Sequence, residues 1–166
     1  MKTSSKILLT GLCLLFAVSV TRAQSPKYFR DSLIARAVKQ LIDGRQFIFF
    51  VQSVMAPGGT SVPMAGENYT FRIKTDSVQL NLPYVGRSHT AVTDYSQVGF
   101  NFKAGNIDYT VKERKRGGWD VTIPLHNSTN VSLIVLNVLK DGSATLHLTP
   151  RNKQPISYQG NIAERE

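Results

Sequence analysis

The sequence predicts a mostly β, single-domain protein of the α+β class, in which an N-terminal helix packs on or plugs a strongly curved antiparallel sheet. Two observations predict this fold. A segment with helical periodicity ends at Gly44, and from Gln46 onward short apolar segments alternate with hairpin-type turns. Short hairpins favour antiparallel neighbours, and a barrel-like meander of about 8–10 strands would leave few exposed strand edges.

Residues 1–23 have the layout of a secretory signal peptide and are set apart from the fold. Lys2 and Lys6 give a positive start, residues 7–18 are almost all apolar, and small residues precede the cleavage point. A retained membrane anchor is disfavoured because a spanning helix needs roughly 20 apolar residues. We therefore expect an exported protein whose mature chain, residues 24–166, is one domain without a transmembrane segment.

The cysteine content and the charge limit the possible chemistry. The single cysteine, Cys13, lies in the predicted signal, so the mature chain offers no disulfide, thiol nucleophile or cysteine metal ligand. The formal charge of +9 falls to +6 when Lys2, Lys6 and Arg22 leave with the signal. A moderately basic exported protein is a poor candidate for nucleic-acid binding, whereas an anionic envelope component fits as a partner. The simpler alternative is that the charge serves solubility alone.

The helix is predicted over residues 25–43, where Ser25 can cap the start, Pro26 suits the first turn and Gly44 can end it. The apolar side chains form a wide stripe, and the basic ones lie largely off it. The stripe consists of Phe29, Leu33, Ile34, Ala37, Val38, Leu41 and Ile42. Such a stripe indicates docking on a sheet, and the alternative is that a basic helix lies on a membrane surface.

The first strands are predicted by one apolar run and two alternating segments. Residues 46–55 are nearly continuous in apolar character, which indicates burial on both faces for part of the length. In residues 68–75 and 77–82 every second side chain is apolar, and Asp76 lies at the turn between them. These two segments are predicted to form a hairpin.

The remaining strands are predicted at regular intervals and are joined by turn sequences. Their segments are 88–95, 98–102, 107–111, 114–125, 131–139, 144–149 and 156–162. Ala104-Gly105-Asn106 and the stronger Lys140-Asp141-Gly142-Ser143 predict hairpins, and a third is predicted at Gly117-Gly118. The run 131–139 is apolar on both faces and indicates a central strand, whereas 156–162 is expected to be a short last strand.

The stretch LPYVGR, residues 82–87, combines turn residues with two side chains that a turn does not require. Pro83 stops ladder pairing, and Gly86 is suited to a positive φ or a close backbone approach. These two residues explain a corner without a ligand. Tyr84 and Arg87 are left as candidates for the rim of a pocket.

A set of aromatic residues from several strands predicts a ligand pocket on the inner face of a curved sheet. The candidate ligand-binding residues are Tyr84, Arg87, Tyr69, Phe71, Phe100, Phe102, Tyr109 and Trp119. The alternative is an ordinary core, because aromatic side chains dominate cores in general.

No established catalytic or cofactor motif occurs in the sequence, so no cofactor is predicted. His89 and Asp94 are five positions apart in a predicted strand and should point to opposite faces. His147 is expected to face solvent. The basic run 112–116 is expected to be a solvated hairpin tip, with a phosphate-binding clamp as the alternative.

Four motifs together are distinctive in this chain: NLPYVGR (81–87), GFNF (99–102), DGSATLHL (141–148) and ISYQG (156–160). Through them the chain resembles a family of secreted proteins from Bacteroidota catalogued as domain of unknown function 4251. The resemblance covers about residues 27–163. It implies a periplasmic or surface location in a Gram-negative bacterium, and it implies no activity and no catalytic residues.

Three functions remain open from the sequence. The first is a non-enzymatic module that binds an apolar or amphipathic small molecule between the concave sheet face and the helix. The second is a structural or assembly protein of the cell envelope without a small ligand. The third is a hydrolase whose site would bring two carboxylates, or His89 and a carboxylate, into one cleft.

Overall fold

The computed structural model describes residues 26–56, 59–64, 68–85, 99–126, 128 and 130–164. The chain divides into two compact units, Met1–Arg30 and Asp31–Glu166. The sheet and its core lie in the second unit. The predicted signal peptide and the weak strand predicted at 88–95 lie outside the described residues. Within the described part, no helix is long and apolar enough to cross a membrane.

One helix and ten strands make up the described chain. The helix α1 spans Pro26–Gly44. The strands are β1 Phe47–Met55, β2 Ser61–Pro63, β3 Thr70–Lys74, β4 Ser77–Leu82, β5 Phe100–Gly105, β6 Thr110–Glu113, β7 Trp119–Pro124, β8 Val131–Val138, β9 Ser143–Pro150 and β10 Ile156–Glu164. The predicted class, a helix followed by a meandering β domain, is therefore confirmed.

All ten strands belong to one antiparallel sheet that curls into a half-barrel. Nine strands follow each other in the order β5-β4-β3-β1-β10-β9-β8-β7-β6, and β2 pairs with β1. The first and last strands of the chain are thus neighbours, and the meander runs outward from them in both directions. Among the described strands, β5 and β6 form the two edges.

Three of the predicted hairpins are confirmed. The turn at Asp76 joins β3 to β4. The glycine pair joins β6 to β7, where both Gly117 and Gly118 have positive φ values. At the β8–β9 turn Gly142 has φ +87°, and the Asp141 carboxylate accepts hydrogen bonds from the backbone N–H and the hydroxyl of Ser143. Local turn chemistry therefore specifies these connections.

The hairpin predicted at Ala104-Gly105-Asn106 is wrong. The chain does turn there, since Asn106 has φ +54°. However, β5 pairs with β4, and β6 pairs with β7. The segment after Gly105 instead links the two edges of the sheet. Because the link is short, the Cα atoms of Gly105 and Thr110 lie no more than about 18 Å apart.

The last strand is longer and more central than the sequence indicates. It pairs with β1 over Phe47–Met55 on one side and with β9 on the other. The predicted central position of β8 is confirmed, since β8 lies between β7 and β9. The inner-face side chains of the sheet form one buried cluster, and its largest fully buried members are Tyr158, Phe47, Phe49 and Phe71.

The helix contributes to this cluster mainly through its C-terminal part. Val38 and Ile42 are buried, and Leu41 packs against the cluster. Leu33 and Ile34, from the same predicted stripe, are 48% and 38% exposed. The predicted docking of α1 thus covers its last turns, and part of the apolar stripe faces solvent.

Candidate functional site

The described edges of the sheet enclose a cleft, which we call the seam cleft. It lies between β5, the link that follows β5, and the turn between β7 and β8. Its volume is about 430 Å³, within the roughly 300–1,000 Å³ that is usual for small-molecule sites. The position has a structural cause, because β6 pairs with β7 only as far as Thr122 and leaves Pro124 beyond its reach.

The lining of the seam cleft combines apolar and polar groups. Phe102, Ala104 and Leu125 supply apolar surface, and Phe102 and Leu125 belong to or pack against the core. Polar lining comes from Lys103, Asn106, Asp108, His126, Ser128 and Asn130. Such a lining suits a molecule with both an apolar and a polar part.

The wall formed by the β7–β8 turn is held in place by Arg151. Its guanidinium donates to the carbonyl of Ser128 at 2.8 Å and to the carbonyl of Leu125 at 3.3 Å. The hydroxyl of Ser128 accepts hydrogen bonds from the backbone N–H groups of Asn130 and Val131, both at 3.3 Å. The wall is therefore fixed by the protein's own hydrogen bonds, without a ligand.

The link between β5 and β6 is anchored at two points. The N–H of Ile107 donates to the carbonyl of Asp76 at 3.2 Å. The hydroxyl of Tyr109 donates to the carbonyl of Ile42 at 2.9 Å, and the Arg45 guanidinium lies 5.0 Å from the centre of the Tyr109 ring. Burial raises the pKa of Tyr109 above its ordinary value of 10. The link thus joins the seam to the end of α1.

His126 and Asp108 face each other at the rim of the seam cleft, with Nε2 and Oδ2 3.5 Å apart. Both side chains are more than 70% exposed. Because both side chains are this exposed, the two groups are accessible to a ligand, and their contact contributes little to stability. Functional acid–base pairs are usually shielded from solvent, and this pair is exposed.

The LPYVGR stretch forms a corner that is held by two tyrosines. Tyr84 is buried, and its hydroxyl accepts a hydrogen bond from the backbone N–H of Gln154 at 3.1 Å. The hydroxyl of Tyr158 donates to the carbonyl of Pro83 at 2.6 Å. Burial raises the pKa of Tyr158. The buried hydrogen bond of Tyr84 therefore gives this side chain a structural role in the predicted corner. Gly86 and Arg87 lie outside the described residues.

A lysine packs against the same corner. The ammonium group of Lys153 lies 4.9 Å from the centre of the Tyr84 ring and 5.0 Å from that of Phe100. The two rings meet edge to face at 5.8 Å. Partial burial lowers the pKa of Lys153. These contacts join the loop before β10 to the start of β5. They are explained by the attraction between the ammonium group and the two rings.

The structure separates the predicted ligand-binding residues into groups. Phe71, Phe100, Trp119 and Tyr84 are buried in the core cluster, and Tyr69 and Tyr109 are partly buried against it. Phe102 alone of this predicted set lines the seam cleft among the described residues. Their role in binding a ligand stays a prediction.

The sequence analysis missed most of the residues that line the seam cleft. They come from 102–108 and from 124–130, two segments that meet only because the sheet curls. Lys103, His126 and Asn130 lie in or beside turns, where polar residues are common. The pattern of the sequence therefore carried no signal that set them apart.

Hydrolase and metal chemistry have little support among the described residues. No three histidine, cysteine, aspartate or glutamate side chains within that part of the chain could hold a metal ion together. His147 is exposed, as predicted, and its Nδ1 lies 2.7 Å from the hydroxyl of Ser157. His89, Asp94 and Glu67 lie outside the described residues.

Comparisons with known proteins support the fold and leave the activity open. The family model described as "Domain of unknown function (DUF4251)" matches residues 30–162. A crystal structure of a DUF4251 family protein from Bacteroides eggerthii DSM 20697 superposes with a TM-score of 0.60 at 14% sequence identity. The match covers 81% of this chain and 90% of that chain. A search of curated proteins finds no match.

Proposed function

We propose that this chain, which belongs to the DUF4251 family, is a non-enzymatic binding module. Its ligand would be an amphipathic small molecule bound in the seam cleft. The observation that supports this proposal is the cleft itself. It has an apolar floor at Phe102 and Leu125, a polar rim at Lys103 and His126, and walls held by the protein's own hydrogen bonds. A site formed before the ligand arrives loses little free energy to ordering on binding.

The seam cleft is a better place for the ligand than the inner face of the sheet. The aromatic side chains on the inner face contact one another in the core cluster. A ligand there would have to displace well-packed side chains, whereas the seam cleft is open to solvent. Its exposed polar groups, which include Lys103, His126 and Asp108, would stay hydrated beside the polar part of the ligand.

The test is native mass spectrometry of the mature protein with straight-chain fatty acids and lysolipids as probes. Gly105 lines the cleft, and a Cβ atom built there has no heavy atom within 4 Å, so a larger side chain fits without a backbone clash. We expect one-to-one binding that Gly105→Tyr abolishes, because the ring fills the cleft. Gly105→Ala is the matched control and should keep the ligand. Equal binding by both variants, or no binding of any probe, would contradict the proposal.

A second candidate function is assembly on an envelope partner, and the exposed part of α1 supports it. Leu33 and Ile34 face solvent, and the exposed basic residue Arg36 lies one turn from Leu33. Mild crosslinking should then capture a partner through α1, and Leu33→Ser with Ile34→Ser should abolish the capture. Crosslinking that is unchanged in this double variant would remove the candidate.

We also propose that the protein is exported to the periplasm or the surface of a Gram-negative cell. The support is the signal-like sequence of residues 1–23. N-terminal sequencing of the protein recovered from an envelope fraction should begin at Gln24. An intact N-terminus on cytoplasmic protein would contradict export.

A further inference from the structure

A row of polar side chains crosses the outer face of the sheet, the face opposite the core. The strand registers pair Ser53 with Gln159, Gln159 with Thr145, and Thr145 with Asn137. The row continues from Asn137 to Asp120 and from Asp120 to Lys112. It therefore passes over six strands, β1, β10, β9, β8, β7 and β6, at right angles to their direction.

A groove of about 590 Å³ follows the middle of this row. Asn137, Thr145 and Gln159 line it. Arg114, after β6, and Leu139, in the β8–β9 turn, lie on one side. On the other side Gln52 lies in the bulge of β1, where the register shifts between Val51 and Ser53. Because of the bulge, two successive residues, Gln52 and Ser53, both point away from the core, so an amide and a hydroxyl adjoin on this face.

The groove is rich in hydrogen-bonding groups and nearly free of uncompensated charge. The carboxylate of Asp120 accepts a hydrogen bond from the Asn137 amide at 2.7 Å and lies 3.5 Å from the guanidinium of Arg114. Although the side chain of His147 is exposed, its Nδ1 lies 2.7 Å from the hydroxyl of Ser157, and partial desolvation of the ring lowers its pKa. The other polar side chains in the groove are amides and hydroxyls.

We infer that this groove binds a neutral oligosaccharide that lies along the row. Each amide can donate and accept, as can each hydroxyl of a sugar, so the two surfaces are complementary in hydrogen bonding. Neighbouring strands are about 4.8 Å apart, close to the length of one sugar unit in an extended glycan. Leu139, which is 47% exposed at the side of the groove, offers apolar surface to the C–H face of a sugar ring.

The lack of uncompensated charge in the groove favours a neutral ligand over a charged one. An anionic glycan or a phosphate would require unpaired basic groups, and Arg114, the basic side chain that lines the groove, lies beside Asp120. The inference is independent of the proposed function, because the groove and the seam cleft share no lining residue.

The test is a nuclear magnetic resonance titration of the mature protein with neutral hexasaccharides of glucose, mannose and xylose. We expect at least one of them to shift the side-chain amide signals of Gln52, Asn137 and Gln159. Gln159→Ala and Thr145→Val should each weaken that binding about tenfold, because each removes hydrogen bonds to the ligand. Gln79→Ala, on the outer face of β4 and outside the groove, is the matched control and should bind like the natural sequence.

Four outcomes would overturn the inference. One is the absence of shifts in the groove with every neutral hexasaccharide. Another is binding only of charged glycans, with an affinity that falls steeply as salt is added. The third is equal binding by Gln159→Ala and Gln79→Ala, provided that thermal unfolding shows both variants to be folded. Shifts confined to Phe102 and Leu125 would likewise move the ligand to the seam cleft and reject the groove.

Discussion

The β1–β10 junction and the seam cleft both bring together segments that are distant in sequence, and they are built in opposite ways. At the junction, β1 pairs with β10 from Phe47 to Met55 with one bulge, and the β1 side chains of Phe47 and Phe49 are fully buried. At the seam, the described edge strands do not pair, and all four residues of β6 are exposed. The junction holds the two halves of the sheet together, and the seam leaves a cleft open.

This contrast separates the region that stabilises the sheet from the region proposed to bind a ligand. Buried apolar area stabilises a sheet, whereas an exposed edge contributes little. Substitutions at the junction should therefore lower the free energy of unfolding strongly, and comparable substitutions at the seam should not.

The largest difference is expected between Phe49→Ala and Val111→Ala. Phe49 is fully buried beneath β1, and its loss should lower the free energy of unfolding by about 3–5 kcal/mol. Val111 lies on the exposed strand β6, and its truncation should cost less than about 0.5 kcal/mol. Urea unfolding of both variants measures the two values. A similar cost at the two positions would break the contrast between junction and seam.

A glycine pair tests the same contrast through the backbone. A Cβ atom at Gly160 would overlap the carbonyl oxygen of Phe50 on β1, so Gly160→Ala must separate the central strands. We expect a loss of about 2–3 kcal/mol. At Gly105 a Cβ has no heavy atom within 4 Å, and Gly105→Ala should change stability by less than about 1 kcal/mol, in the stabilising direction. Unfolding of Gly160→Ala at the same denaturant concentration as the natural sequence would refute this account of the junction.

The tyrosine corner should show an intermediate effect. Tyr158→Phe removes the donor to the Pro83 carbonyl and leaves that acceptor partly buried, at a cost of about 1–2 kcal/mol. Tyr84→Phe should cost about as much, because the N–H of Gln154 loses its acceptor. Neither change should alter ligand binding in the seam cleft. If Tyr84→Phe lost ligand binding while its free energy of unfolding stayed unchanged, Tyr84 would contact the ligand rather than stabilise the corner.

Features of the fold that depend on local interactions could be predicted from the sequence, whereas features that depend on distant strand pairing could not. Lys140-Asp141-Gly142-Ser143 and Ala104-Gly105-Asn106 both turn the chain at a residue with positive φ, at Gly142 and Asn106. The first forms a hairpin, and the second leads across the seam, because β5 and β6 already pair with β4 and β7. Turn chemistry fixes a bend, but the partner of a strand depends on pairings elsewhere in the sheet.

The candidate site was less predictable than the fold for the same reason. Inward-facing residues such as Phe71 and Ile73 follow a period of two that the sequence displays. The residues of the seam cleft have no such period, because Phe102 and His126 become neighbours only when the sheet curls. The sequence therefore predicted that the aromatic residues lie inside, and it could not predict where the sheet would leave an opening.

The smallest effect is expected at alkaline pH, where the junction and the seam can be compared by titration. Burial raises the pKa of both Tyr158, in β10, and Tyr109, in the link at the seam, above the ordinary value of 10. Above pH 10 the unfolded chain loses these protons before the folded chain does. Their contribution to stability is therefore complete below pH 10 and falls as the pH rises further. Lys153 acts in the opposite sense, because its lowered pKa makes stability rise as the pH approaches 10.5.

Urea unfolding at a series of pH values measures this dependence. We expect the decline above pH 10 to be clearly shallower in Tyr158→Phe and only slightly shallower in Tyr109→Phe, because Tyr158 is fully buried and Tyr109 is partly exposed. Lys153→Met serves as the control and should steepen the decline, since it removes the opposing contribution. If all three variants declined in parallel with the natural sequence, the buried tyrosines would not be the source of the alkaline instability, and the greater burial at the junction would have no effect on titration.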